Sequence, residues 1–147
     1  MKLWALFLVL AILAIPTVQA ADLGDREFYE NTVKLFTKIG KDSLEMPKLM
    51  NAGEYEKVKE KAETLIVAIN VYNWKWDLYK LSPQARLIAD EVELTLKTYQ
   101  PGLEDTIKAM DALQVGDEAL ANTHLERATT ELLEAQSHIA KINDSLP

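Results

Sequence analysis

Cysteine is absent from the 147 residues. With it go disulfide frameworks, thiolate metal sites, covalently attached haem and lipid attachment at a leader cysteine. A chain of this size without cross-links must be held by its core alone. Positive charge is scarce too: 16 Lys and Arg stand against 23 Asp and Glu, for a net charge of −7. That balance argues against nucleic acid or an anionic membrane surface as an electrostatic partner. Histidine occurs twice, as His124 and His138. On one helix their separation is ~21 Å, too far to share a metal. No Glu-x-x-His pair supports a di-iron bundle, and His-Glu-x-x-His, Gly-x-Ser-x-Gly and phosphate-loop patterns are all missing. Neither a metal nor a cofactor is expected, and the chain does not read as an enzyme.

Long apolar runs are also lacking, with one exception at the start. Leu3 to Ile15 is unbroken apolar, Pro16 breaks the run, and Val18-Gln19-Ala20 offers the small residues that a signal peptidase reads. Thirteen apolar residues make a helix of roughly 20 Å, short of the ~30 Å hydrocarbon core. Residues 1–20 are therefore expected to be a cleaved signal peptide, with a retained N-terminal anchor as the alternative. The mature chain, 21–147, would form one domain, exported to the cell envelope or beyond.

What remains is helical pattern. After Gly53, the residues Tyr55, Val58, Ala62, Leu65, Ile69, Tyr72, Trp76 and Tyr79 step by three and four, the seam of an antiparallel bundle. After Gly116, Ala121, Leu125, Ala128, Leu132, Ala135, Ile139, Ile142 and Leu146 do the same. "LSPQ" separates the hairpins, with Ser82 as N-cap and Pro83 at the first helical position. The first helix carries Phe28, Val33, Phe36, Ile39, Leu44, Leu49 and Met50. The third carries Ile88, Val92, Leu96, Tyr99, Leu103, Ile107, Met110 and Leu113. Kinks or short breaks are expected at Gly40 and Pro47 in the first, and at Pro101-Gly102 in the third.

A shift of 63 residues lays Gly53 on Gly116, Phe36 on Tyr99, and the seam of the second helix on that of the fourth. The expected fold is all-α: an up-down-up-down antiparallel four-helix bundle made of two similar αα-hairpins. "NAGEYEKVKEKAETL" resembles the second helix of a tetratricopeptide repeat, but the period here is 63 rather than ~34. The start "ADLGD", the acidic charge and the missing cysteines are similar to the periplasmic four-helix b-type cytochromes. That resemblance implies haem between the helices, held by a methionine near the start of helix one and a histidine near the end of helix four. His138 stands where the histidine would, while "ADLGDREFYE" supplies no methionine.

The polar residues have plain readings. The carboxylates of "DEVE", "GLED" and "GDE" fall at helix starts or on outer faces, where solvation and the helix dipole account for them. Glu134 and His138 are spaced for an exposed ion pair. Met46, Met50 and Met110 read as core fillers.

"VYNWKWDLYKL", residues 71–81, concentrates the aromatics. Tyr72, Trp76 and Tyr79 continue the seam, where they are expected to meet Phe28 and Tyr29 as an aromatic end layer. Trp74 points the other way. With Val67, Val71, Leu78 and Leu81 it makes a second apolar stripe on the back of helix two, downstream of Glu56, Glu60 and Glu63. The equivalent stripe on helix four is Thr130, Glu134, Ser137, Lys141 and Asp144. The expected function is binding through the Trp74 stripe, to a protein partner or a second copy, or near a membrane if residues 1–20 are retained. The alternative is a carrier, in which Tyr72, Trp76 and Tyr79 line a site for haem or a small apolar ligand between the helices.

Overall fold

The computed structural model describes residues 23–76 and 80–145. All the regular structure among them is helical: α1 (Leu23–Asn51), α2 (Tyr55–Trp76), α3 (Pro83–Gln114) and α4 (Glu118–Ser145). Each helix packs on the next in sequence, and α3 with α4 makes the most extensive contact, an arrangement consistent with a four-helix bundle. None of the described helices is long and apolar enough to cross a membrane. The proposed leader, 1–20, lies outside the described residues.

The hairpin turns are built alike. Gly53 and Gly116 adopt φ of 73° and 76°, a region that costs a side-chain-bearing residue strain and glycine almost none. At the first turn, Gly53 N–H donates to the Met50 carbonyl at 3.0 Å, and Glu54 N–H to Leu49 at 2.9 Å. At the second, Gly116 N–H donates to Leu113 at 3.1 Å, and Asp117 N–H to Ala112 at 2.9 Å. Each pair of hydrogen bonds satisfies carbonyls that a helix end otherwise strands. Between the hairpins, Ser82 caps α3 by accepting from Ala85 N–H at 3.2 Å.

The seams form the core. Val58, Ala62, Leu65, Ile69, Tyr72 and Trp76 of α2 are buried. So are Ala121, Leu125, Ala128, Ala135, Ile139 and Ile142 of α4, with Leu132 partly buried against them. The aromatic end layer is present: Phe28 lies 5.3 Å from Tyr29 and 6.3 Å from Trp76, centroid to centroid. The guanidinium of Arg86 lies 5.0 Å from the Trp76 ring, a cation–π contact at the layer's edge. Small residues set the tight fit of α3 on α4. A Cβ on Gly102 would stand 3.0 Å from Leu132 Cγ and 3.4 Å from the Ala128 carbonyl oxygen.

Three expectations about the helices need correction. α1 runs unbroken through Gly40 and Pro47, and α3 through Pro101. An interior proline costs ~3 kcal/mol, but Met46 and Met50 flank Pro47, and Gly102 and Leu103 follow Pro101, all buried. Ending the helix would uncover that surface. Leu44, placed with the apolar residues of helix one, is exposed, while Asp42 and Ser43 are buried beside it. Polar partners across the bundle hold that stretch of α1, so its inward face is not its most apolar one. Helix two does not carry its stripe to Leu81, because residues 80–82 are not helical.

Candidate functional site

The outer face of α2 keeps three large apolar side chains in solvent. Val67 is 61%, Val71 49% and Trp74 68% exposed. They recur at i, i+4 and i+7 and so form one stripe. Glu56, Glu60 and Glu63 are exposed one to three turns upstream, and Lys75 is exposed beside Trp74. The equivalent residues of α4, Thr130, Glu134, Ser137 and Lys141, are also exposed. Both hairpins therefore turn the same face to water, polar on α4 and apolar on α2.

The other residues singled out from sequence divide into three groups. Leu81 is half-buried and packs on the core, covering the bundle end rather than extending the stripe. Leu78 and Tyr79 lie outside the described residues. Tyr72 and Trp76 are buried, and the Tyr72 hydroxyl lies 2.7 Å from Thr32 Oγ1. Thr32 Oγ1 in turn donates to the Phe28 carbonyl at 2.7 Å. The phenol thus ends in a hydrogen-bonded chain between α1 and α2.

Buried polar contacts form a framework that the sequence pattern did not bring out. Asp42, 5% exposed, accepts from Lys38 Nζ at 2.9 Å and from Lys61 Nζ at 3.2 Å. Lys61 also reaches Glu45 at 2.6 Å. Burial works to raise the Asp42 pKa, but the hydrogen bonds and charges of Lys38 and Lys61 prevail and hold it below the ordinary 3.8. On the second hairpin, Asp105, 7% exposed, accepts from His124 Nδ1 at 2.8 Å. Lys108 stands 3.8 Å from the same carboxylate.

The two clamps share one equivalent pair. The 63-residue shift carries Asp42 onto Asp105 and Lys61 onto His124. The signal was therefore available: applied to polar residues as well as to the seam, the shift pairs an acid with a base in each hairpin.

Other polar groups tie the helices together. Ser43 Oγ lies 2.8 Å from the Tyr99 hydroxyl, whose pKa burial pushes up to about 12 against the opposing effect of the Ser43 hydrogen bond. Asp25 accepts from Ser82 N–H at 2.8 Å and from Ser82 Oγ at 2.6 Å, fastening the α2–α3 connection to the start of α1. Glu131 has its pKa raised, first by burial and then by Asp105 and Glu104.

His138 departs from its expected role. It is buried while Glu134 is exposed, so the two do not make a surface ion pair. Its Nδ1 has no hydrogen-bond partner among the described residues. Met46, Met50 and Met110 are buried in the core. Among the described residues, no three acidic or histidine side chains are grouped closely enough to hold a metal ion.

A groove of about 460 Å³ runs between α1 and α2, lined by Lys38, Asp42, Glu45, Lys48, Lys57 and Lys61 among others. Its charges largely neutralise one another. Asp42 engages Lys38 and Lys61, Glu45 engages Lys61, and Lys57 engages Glu54.

Comparison with protein-family models, with characterised proteins and with solved structures finds no match to this chain.

Proposed function

We propose that this chain is an exported, non-catalytic helical-bundle protein that works by association through the outer face of α2. In this reading residues 1–20 are a signal peptide, and the mature chain is an up-down-up-down antiparallel bundle of two similar hairpins. The observation that carries the proposal is the contrast between two equivalent faces. The α4 copy is Thr130, Glu134, Ser137 and Lys141, whereas the α2 copy exposes Val67, Val71 and Trp74. Exposed apolar side chains scattered singly need no explanation, but a continuous stripe that includes a tryptophan marks a contact site. The burial of Tyr72 and Trp76 and the hydrogen bond of the Tyr72 hydroxyl favour this surface over an interior ligand.

Substitution separates the surface role from a structural one. Trp74→Glu should fold and melt as the parent does, because the carboxylate enters water. Trp76→Glu should unfold the protein, because it buries an unpaired charge. In the native cells, cross-linking should capture adducts of the parent that Trp74→Glu loses. Adducts unchanged by Trp74→Glu would refute the association role.

A further inference from the structure

We infer that the α2 face takes one amphipathic helix of another protein, apolar over two turns and carrying lysine or arginine at one end. The inference rests on the association reading and adds the chemistry of the partner.

The apolar stripe is the second half of a longer face. At about 100° per residue, Glu60, Glu63, Val67, Val71 and Trp74 fall within ~80° of arc, and all five are exposed. The face is acidic over its first turn and apolar over the next two. The equivalent residues of α4, Thr123, Glu126, Thr130, Glu134 and Ser137, are also exposed and polar throughout. Of the two helices, α2 alone sorts acid from apolar along one line.

The acidic half is uncompensated. The three lysines nearest to it along the helix are engaged elsewhere: Lys57 with Glu54, Lys59 with Asp111 and Glu56, and Lys61 with Asp42 and Glu45. Glu60 and Glu63 make no ion pair among the described residues. Three residues apart, the two carboxylates repel each other, and a cation set between them removes that repulsion. The α2 face of a second copy does not bring one, because Lys75 stands ~120° round the helix from Glu63. Anionic lipid is opposed by the same carboxylates. A basic side chain that arrives with an apolar helix satisfies both halves at once.

The spacing sets the partner's pattern. Val67 to Trp74 spans ~10 Å along the axis, Glu63 lies ~6 Å before Val67, and Glu60 ~10 Å before it. A helix of about 15 residues covers the face, with apolar residues at i, i+4 and i+7 and basic ones four and seven residues beyond. The test uses protein purified from its host after export, and two synthetic peptides of that pattern stapled as helices. One peptide carries its lysines on the N-terminal side of the apolar run and the other on the C-terminal side, so both directions are sampled. One of the two should bind, as read by calorimetry, and more weakly as salt rises. Trp74→Glu should abolish binding with an unchanged melt. Glu60→Lys and Glu63→Lys together should weaken binding roughly tenfold or more. That doubly reversed protein should instead bind the peptide made with glutamate in place of lysine. On α4, Glu126→Lys with Glu134→Lys should leave the affinity within about twofold of the parent's.

Equal affinity of the parent for the lysine and glutamate peptides would overturn the basic partner, as would a double reversal without effect. Dimers of the parent that Trp74→Glu dissolves, seen by sedimentation, would give the face to a second copy instead. If neither lysine peptide binds while Trp74→Glu still loses cross-links to another protein in cells, the partner's chemistry is wrong and the association role stands. Cross-links in cells that Trp74→Glu leaves untouched would remove both.

Discussion

His124→Ala tests whether the clamp of the second hairpin stabilises the fold. Asp105 is 7% exposed, and among the described residues its close partner from another helix is His124, whose Nδ1 lies at 2.8 Å. Lys108 remains after the substitution, 3.8 Å away, on a side chain 58% exposed. Removing the donor of a hydrogen bond to a charged group costs roughly 1.5–3 kcal/mol, because the buried carboxylate loses its partner. Lys108 is too far away to replace that bond, which argues for the upper end, about 3 kcal/mol. Lys61→Ala should cost less, about 1.5 kcal/mol, the low end for a hydrogen bond to a charged group. Asp42 keeps Lys38 at 2.9 Å, and the Lys61 side chain is itself 28% exposed. Because the two bases occupy equivalent positions, His124→Lys should recover at least half of what His124→Ala loses. Adding Asp105→Ala to His124→Ala should also restore stability, because the stranded charge disappears. Urea unfolding at neutral pH, followed by circular dichroism, gives all four values. A His124→Ala loss under ~1 kcal/mol, or a His124→Lys variant no better than His124→Ala, would refute the equivalence.

Three further outcomes are expected. The Asp42 pKa is lowered in the folded state, so its contribution is complete above the unfolded-state value and is lost as pH falls through the lowered one. Asp42→Asn should therefore lose part of the acid-side decline in stability, as read by denaturant titrations between neutral pH and about pH 2. Gly102→Ala should destabilise by about 1–2 kcal/mol, since its Cβ would crowd Leu132 Cγ at 3.0 Å by more than the helix propensity of alanine returns. In a Leu132→Ala background the same change should be neutral or stabilising, and thermal melts of the four variants decide it. N-terminal sequencing of the protein from its native host should begin at Ala21, and an intact Met1 in the membrane fraction would favour the anchor instead.

Helix positions and core were legible because apolar residues recur at the spacing of a helix face. Val58 to Trp76 and Ala121 to Ile142 are buried where that spacing put them, with Leu132 partly covered. Both turns follow from glycine's freedom at positive φ. The Trp74 face was legible for the complementary reason: an apolar stripe opposite a seam already committed to the core has nowhere to point but outward. Leu44 was misplaced because apolar character alone was taken to mark the inward face. The interior of α1 is held there by Asp42 and Ser43, whose partners come from α2 and α3. The helices run on through Pro47 and Pro101, where a short break was one expectation, for a related reason. Local chemistry argues for a break, and only the burial on either side keeps the helix whole.

The amino-acid order by itself determined that the described chain is helical, which faces are apolar, that the two halves share one pattern, and that α2 differs from α4 on its outer face. These are properties of spacing along one helix and of local backbone preference. Tertiary structure decided which polar residues go inside. Asp42 with Lys61, and Asp105 with His124, are each 19 residues apart across a hairpin turn, and no periodicity within a single helix connects them. It also decided that His138 is buried rather than paired with Glu134, and that Leu81 covers the bundle end. A charged or polar group can enter the interior only where a partner from another helix compensates its lost hydration, and that partner exists only once the helices have packed.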